Sequence, residues 1–126
     1  MRYLVDSSAW IEYLEGSKSG EKVSNFIDSQ NEVYTTSLNI AEVISILARK
    51  KAKTETGYAI MIKRAKIIEV TPKIAKEAGK THAELKKRIE NISLTDVIIA
   101  KTAESINATV ITKDAHFKHL SKAEFI

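Results

Sequence analysis

Short apolar runs alternate along this chain with longer segments in which apolar residues recur at helical spacing. The runs predict four buried strands at residues 3–5, 33–36, 67–70 and 109–112, and the final residues 123–126 predict a fifth. Strands that alternate with helices favour βα units, which build a mostly parallel sheet covered by helices on both faces. We therefore predict a single three-layer α/β domain over residues 1–126, with a central sheet of four to five strands flanked by helices.

Small polar residues and glycines predict where the helices begin and end. Ser7 and Ser8 follow the first strand and are typical helix N-caps, and Ser37 is placed to cap a long helix that runs to about residue 53. Gly20 predicts a break between the first helix and the second. These boundaries put the polar residues that follow the first two strands at the starts of helices.

The composition excludes several kinds of site. The 126 residues include no cysteine, which excludes a disulfide framework and any thiolate ligand or nucleophile. No apolar run approaches the length of a membrane span, and no secretory signal precedes the first strand, so we expect a cytoplasmic protein that does not enter a membrane. A formal net charge of +4 permits a polyanionic partner without requiring one.

Four acidic residues lie where the predicted fold would bring them to one edge of the sheet. Asp6 directly follows the first strand and Asp114 the fourth, while Glu42 lies in the first turns of the helix after the second strand. Asp96 opens the helix that leads into the fourth strand, and that helix starts at the same edge because it runs antiparallel to the strand. All four carboxylates are therefore expected at the carboxyl edge, where sites form in open α/β sheets.

Each acid also has a local explanation. Taken singly, each aspartate could cap a helix, and Asp96 has capping-box spacing to Ser93. Glu42 could pair with Asn39 or simply face solvent. Capping explains each acid separately and does not explain why the acids converge. Carboxylates about 4 Å apart repel each other by a few kcal/mol at a moderate effective dielectric. Such a cluster needs a bound cation or raised pKa values. Ligands that are all oxygen suit Mg²⁺ or Mn²⁺ rather than zinc, and on a mildly basic protein such an ion suggests phosphodiester hydrolysis.

Four short motifs, in their order and spacing across nearly the whole chain, resemble those of the PIN-domain nucleases. They are Asp6-Ser7-Ser8 after a strand, Glu42 on a helix, Ser93-Leu94-Thr95-Asp96 at the start of a helix, and Thr112-Lys113-Asp114 followed by Phe117. The length and coverage resemble in particular the VapC-type toxins, the ribonuclease half of a toxin–antitoxin pair. This resemblance implies a Mg²⁺-dependent endoribonuclease with Mn²⁺ as an alternative ion, a homodimer, and a small VapB-type antitoxin that places a C-terminal segment over the active site.

The resemblance also assigns roles to individual residues. It implies that RNA is hydrolysed by a metal-activated water at a metal-binding and catalytic cluster made of Asp6, Glu42, Asp96 and Asp114. Hydrogen-bonding support is implied for Ser8 and Thr112, with Ser7 as a weaker candidate, and Phe117 is implied to pack in the core. Some PIN domains carry a further acid just after the fourth, whereas here Ala115 and His116 follow Asp114.

Basic and imidazole side chains give weaker signals. One run could hold phosphates of the flanking RNA, or could be a solvated helix end whose cations favour the helix dipole; it consists of Arg49, Lys50, Lys51 and Lys53. His116 and His119 are predicted to be surface residues, because no further partners at ligand spacing accompany them.

Three other functions compete with the nuclease. A haloacid-dehalogenase-like phosphatase needs a second Asp two positions after its nucleophile, where this chain has Ser8. A receiver domain needs a phosphoacceptor Asp after the third strand, where this chain continues Val70-Thr71-Pro72. A non-catalytic RNA- or protein-binding module on a PIN-like fold stays open, and metal-dependent cleavage of RNA would separate it from the nuclease.

Overall fold

The computed structural model describes residues 1–126, which form a five-stranded parallel sheet and six α-helices. The elements in chain order are β1 (Arg2–Val5), α1 (Ser7–Glu15), α2 (Lys18–Ile27), β2 (Glu32–Thr36), α3 (Ser37–Arg49), α4 (Thr54–Arg64), β3 (Lys66–Ile68), α5 (Pro72–Lys86), α6 (Leu94–Ser105), β4 (Thr109–Thr112), a 3-10 helix (Ala115–His119) and β5 (Ala123–Phe125). None of the helices combines the length and the apolar character that crossing a bilayer would require.

The strands lie in the order β3-β2-β1-β4-β5, and every neighbouring pair is parallel. The chain lays β2 and β3 on one side of β1 and then returns to place β4 on the other side. The order therefore reverses at the β1–β4 pair, and the carboxyl ends of these two strands are where a site is expected in such a sheet. The predicted three-layer α/β architecture is confirmed.

Side chains of β1 alternate between two cores, one on each face of the sheet. Tyr3 and Val5 pack with Trp10 in the core that α1, α2 and α3 cover. Leu4 points to the other face, into the core that α6 and the 3-10 helix cover, where Phe117 is fully buried as predicted. Because successive side chains of a strand point to opposite faces and those of Tyr3, Leu4 and Val5 are all apolar, β1 is buried on both faces.

Two helix starts differ from the sequence prediction. Ser7 and Ser8 lie within the first turn of α1 rather than capping it, and the N-cap position is held by Asp6, whose side chain makes no capping hydrogen bond. Helix α3 is capped by Thr36 rather than by Ser37, through a capping box with Asn39. In both places a polar side chain that the sequence suggested as a cap is free for other contacts.

The end of α3 and the position of Gly20 also differ from the prediction. Helix α3 ends at Arg49, four residues early, because Lys51 adopts a left-handed conformation with φ +56°. The backbone N–H groups of Ala52 and Lys51 then bond to the carbonyls of Leu47 and Ala48, which is the Schellman pattern usually formed by glycine. Gly20 lies inside α2, where a Cβ would approach the Glu12 carbonyl oxygen to 2.1 Å, so glycine permits the close crossing of α1 and α2.

Candidate active site

Two of the predicted acids lie at the carboxyl ends of adjacent strands. Asp6 directly follows β1, and its backbone N–H continues the parallel ladder by donating to the carbonyl of Ile111 at 3.0 Å. Asp114 lies two residues beyond β4. The pairing of β1 with β4 therefore brings together two acids that are more than a hundred residues apart in the chain.

Asp6 is buried and is held by neutral hydrogen-bond donors. Its Oδ2 accepts from the Thr112 hydroxyl at 2.8 Å and from the Ser8 hydroxyl at 3.2 Å, and its Oδ1 accepts from the Asn39 amide at 3.3 Å. Burial raises the pKa of the Asp6 carboxyl, the hydrogen bonds from Thr112, Ser7 and Ser8 oppose that rise, and the charge of Glu42 adds to it. Asp6 is thus a positioned carboxylate rather than a helix cap.

A second chain of hydrogen bonds connects Glu42 to the buried residues Ser7 and Asn39. The Ser7 hydroxyl donates to Glu42 Oε1 at 2.7 Å, and the Asn39 amide donates to Ser7 Oγ at 2.9 Å. Asn39 Oδ1 in turn accepts from the backbone N–H and the hydroxyl of Thr36, at 3.2 and 2.8 Å. Ser7, predicted only as a weaker candidate, therefore connects Glu42 to the buried network, and Glu42 pairs with Ser7 rather than with Asn39.

Sequence analysis named Asn39 only as a possible partner of Glu42 and missed its role in this network. It is fully buried and contacts both Asp6 and Ser7 while completing the capping box with Thr36. The spacing of Thr36 and Asn39 is a capping signal, and a buried amide at the start of an otherwise apolar helix face needs partners. Of these, only the capping spacing is visible in the sequence, whereas the burial of Asn39 and its contacts with Asp6 and Ser7 depend on the packing of α3 against α1.

The predicted supporting residues Ser8 and Thr112 join the ends of β1 and β4. Their hydroxyls lie 3.2 Å apart, and Ser8 Oγ also accepts from the backbone N–H of Lys113 at 3.0 Å. Thr112 Oγ1 accepts from the backbone N–H of Asp114 at 3.0 Å. These bonds fix the chain on both sides of the two acids, so the relative position of Asp6 and Asp114 is set by neutral groups.

Asp96 and Asp114 meet in a second, less buried part of the site. The Ser93 hydroxyl caps α6 by accepting from the Asp96 backbone N–H at 2.9 Å, as the spacing predicted. Asp114 caps the 3-10 helix, since its Oδ1 accepts from the His116 backbone N–H at 2.9 Å. One carboxylate oxygen of each aspartate and a ring nitrogen of His116 lie within 4.8 Å of one another. His116, predicted to be a surface residue, is half-buried beside the acids.

The pKa of Asp96 is raised both by burial and by the approach of the other acids. It is raised to about 8, first because of burial, then because of a hydrogen bond with Asp114, and then because of the negative charges of Asp6, Asp114 and Glu42. The other three predicted acids therefore all act on the Asp96 carboxyl group. The sequence left capping and clustering as competing explanations for the acids. Asp114 does both, since it caps the 3-10 helix and also lies in the cluster.

The predicted basic run lies at the other end of α3. Arg49 is seven residues beyond Glu42, which places it about 10 Å further along the helix axis. Lys50 bonds to Glu15 at 2.6 Å, near the end of α1. The run is exposed, and it does not line the acidic cluster.

The donor set fits a divalent metal ion. Carboxylate oxygens of Asp96 and Asp114 are close enough to share one ion, and Asp6 and Glu42 extend the negative field beside them. Without a cation, burial and the neighbouring acids raise the pKa of Asp96 to about 8, which favours the protonated carboxyl at neutral pH. A bound divalent ion would instead favour the charged carboxylate. Oxygen donors of this kind suit Mg²⁺ and Mn²⁺.

Comparison with known proteins agrees with this geometry. The sequence model of the PIN domain matches residues 3–123. Curated protein sequences give no match at a significant level. Solved structures share the fold at low sequence identity, and VapC or VapBC structures are among them. VapBC2 from Rickettsia felis, bound to a DNA fragment from its promoter, has a TM-score of 0.78 at 23% identity and covers 99% of this chain and 98% of its own.

Two further structures have TM-scores and coverages close to those of VapBC2. VapC20 from Mycobacterium tuberculosis, a toxin that cleaves the sarcin–ricin loop, has a TM-score of 0.77 at 17% identity and covers 93% of each chain. VapBC-1 from nontypeable Haemophilus influenzae has a TM-score of 0.75 at 22% identity and covers 99% of this chain and 98% of its own. Given the family match over almost the full length and four acids at the carboxyl edge of a parallel sheet, this chain belongs to the PIN domain family.

Proposed function

We propose that the protein is a Mg²⁺-dependent endoribonuclease and the toxin of a VapBC-type toxin–antitoxin pair. The observation that carries the proposal is the convergence of Asp96 and Asp114, whose carboxylate oxygens lie within 4.8 Å of one another, at the edge of the sheet where Asp6 and Glu42 add their negative charge. PIN domains that share this architecture include a toxin that cleaves the sarcin–ricin loop, and others are found in VapBC complexes. The proposed setting is the cytoplasm, with RNA as substrate and a VapB-type antitoxin as partner.

In this proposal Asp6, Asp96 and Asp114 hold the metal ion, with Glu42 beside it. When bound, Mg²⁺ (or Mn²⁺) polarises a phosphate and makes an adjacent water a better nucleophile. The three aspartates offer oxygen ligands from β1, α6 and the end of β4. Because Ser8, Thr112 and Asn39 fix the Asp6 carboxylate through neutral donors, its lone pairs are oriented before substrate arrives.

Glu42 is suited to take a proton from the attacking water. Its Oε1 is occupied by the Ser7 hydroxyl at 2.7 Å, which orients the carboxylate and leaves Oε2 to accept the proton. The side chain is exposed, so substrate and water can reach it. Attack by water in line with the leaving oxygen would give products with a 5′-phosphate and a 3′-hydroxyl.

Basic residues away from the acids would bind the rest of the RNA. We assign this role to the exposed run of Arg49, Lys50, Lys51 and Lys53, at the far end of α3 from Glu42. Their charges would attract flanking phosphates, whereas the acidic cluster needs its ion before it can accept a phosphate. A homodimer, proposed from the VapC resemblance, would set the spacing of two such surfaces.

The proposal is tested by RNA cleavage in Mg²⁺, Mn²⁺ or EDTA, with Asp96→Asn as the active-site variant and Asp28→Asn as the control. Asp28 is the one aspartate outside the cluster and is exposed, with Arg64 3.4 Å away. We expect EDTA to abolish cleavage, Asp96→Asn to lower its rate by at least about 100-fold, and Asp28→Asn to leave it unchanged. Asparagine keeps the backbone N–H that Ser93 caps, so the variant should fold.

Two results would count against the nuclease. Cleavage that survives EDTA or Asp96→Asn at the full rate would show that the acids are not its site. RNA binding without cleavage by the metal-loaded wild-type protein would favour a non-catalytic binding module on the same fold.

A further inference from the structure

His116 makes two contacts with Asp114, one through its ring and one through its backbone. Its Nδ1 is 3.5 Å from Asp114 Oδ1, and its backbone N–H donates to the same oxygen at 2.9 Å. The 3-10 helix Ala115–His119 turns the chain back immediately after Asp114, and this turn keeps the imidazole on the side of the acids. A ring nitrogen therefore lies within 4.8 Å of carboxylate oxygens of both Asp96 and Asp114.

The other two histidines provide a contrast within the same chain. His82 Nε2 lies 3.2 Å from the carbonyl oxygen of Ile92, between α5 and the segment before α6. His119 is exposed at the end of the 3-10 helix. Only His116 combines partial burial with a ring nitrogen within 4.8 Å of oxygens from two carboxylates, so its position is not a general property of histidines in this fold.

An imidazole nitrogen changes which ions a carboxylate site prefers. Mg²⁺ binds oxygen ligands and water and rarely accepts nitrogen, whereas first-row transition ions accept imidazole readily. We propose that His116 is a nitrogen ligand of the metal centre and shifts its affinity toward Mn²⁺ relative to Mg²⁺. This inference rests on the proposed metal site and goes further, because it states which atom sets the selectivity of that site.

The proposal is tested by metal binding to the metal-stripped protein, without RNA. Mn²⁺ affinity is measured from the electron paramagnetic resonance signal of free Mn²⁺, and Mg²⁺ affinity by competition. The variants are His116→Ala, which removes the ligand, His116→Gln, which offers oxygen in place of nitrogen, and His119→Ala as the matched control. Because His116 is partly exposed, these variants should fold, and circular dichroism checks that they do.

We expect the wild-type protein to bind Mn²⁺ more tightly than Mg²⁺. His116→Ala and His116→Gln should weaken Mn²⁺ binding by about tenfold or more while changing Mg²⁺ binding by less than about twofold. His119→Ala should change neither affinity. Pulsed electron paramagnetic resonance of the Mn²⁺ complex should detect coupling to an imidazole ¹⁴N that both His116 variants lose and His119→Ala retains.

The same measurements separate an error about His116 from an error about the metal site itself. If the protein binds both ions through Asp96 but shows no ¹⁴N coupling and no change in His116→Ala, the assignment of His116 is wrong and the metal site stands. If the wild-type protein binds neither ion, the metal site is wrong, and the inference falls with it.

Discussion

The acidic site has two halves that are stabilised in different ways. The Asp6 half, made of Asp6 and Glu42 with Ser7, Ser8, Asn39 and Thr112, is held by neutral hydrogen-bond donors with every buried polar atom satisfied. The Asp96 half, made of Asp96, Asp114 and His116, is partly exposed, and its carboxylates face each other. Neutral hydrogen bonds therefore fix the Asp6 half, whereas the Asp96 half keeps carboxylates that no positive charge offsets except a protonated His116.

This difference indicates how the two halves contribute to folding. Neutral donors around Asp6 stabilise the folded chain with or without an ion, because each bond replaces one made to water and leaves no buried group unpaired. In the Asp96 half, burial of the Asp96 carboxylate and the nearby charges of Asp6, Asp114 and Glu42 destabilise the folded chain until a proton or a cation offsets them. Substitutions in the two halves should therefore change the stability of the metal-free protein in opposite directions.

The largest effect on stability is expected from Asn39→Ala in the Asp6 half. The change leaves Thr36, Ser7 and Asp6 short of partners in a buried place, which costs about 1–3 kcal/mol and lowers Tm by roughly 5–10 °C. Thermal unfolding followed by circular dichroism measures the loss. Asn25→Ala, at an exposed position on α2, is the control and should change Tm little. Equal effects of the two substitutions would show that the network does not stabilise the fold.

The Asp96 half should make the metal-free protein less stable as pH rises. Because the pKa of Asp96 is about 8 in the folded chain and near 4 when unfolded, the folded state binds more protons between these values. Stability is thus highest at the acidic end of this range and falls until pH passes 8. Asp96→Asn should flatten this decline and raise Tm at pH 8. Chemical unfolding at a series of pH values checks both, and an unchanged slope in the variant would contradict them.

Divalent cations should reverse that decline. An ion bound by the Asp96 half competes with the proton on Asp96, so added Mn²⁺ or Mg²⁺ should raise Tm more at pH 8 than at pH 6. Asp28→Asn should keep this response, because Asp28 lies outside the cluster and beside Arg64. Thermal shift assays with and without ion at the two pH values measure it. A response that is equal at both pH values would remove Asp96 from the ion site.

The smallest stability effect is expected from Ser7→Ala, where the Asp6 half contacts the exposed Glu42. The change removes the bond to the exposed Glu42 carboxylate and one bond of the Asn39 amide, which keeps its contact with Asp6, so the unfolding free energy should fall by only about 1 kcal/mol. Cleavage of RNA should fall by about tenfold, because Glu42 is no longer oriented. Ser45→Ala, at an exposed position further along α3, should change neither quantity. A full cleavage rate in Ser7→Ala would mean that Glu42 needs no such support.

Sequence analysis located the acids because their placement follows from strand ends and helix starts. Asp6 and Asp114 follow β1 and β4, and the direction of α6 puts Asp96 at the same edge, so knowing the order of elements was enough. The role of Asn39 was missed because its partners Asp6 and Ser7 come from an element more than thirty residues earlier, and only the packing of α3 against α1 brings them together.

The end of α3 and the position of His116 could not be predicted because both depend on local backbone conformation. The early end of α3 depends on a left-handed lysine, Lys51, in a position where glycine is the usual signal. The approach of His116 to the acids depends on a 3-10 turn after Asp114, and histidines three residues apart give no hint that one of them turns inward. In each case backbone geometry, rather than residue type, decides where the side chain lies.

The central claim is that carboxylates from separate elements share one divalent ion, and a crystal structure of the protein grown with Mn²⁺ tests it directly. The account predicts an anomalous difference peak at the carboxyl ends of β1 and β4, contacted by oxygens of Asp6, Asp96 and Asp114. A fully occupied Mn²⁺ site elsewhere, with no peak between these carboxylates, would contradict it.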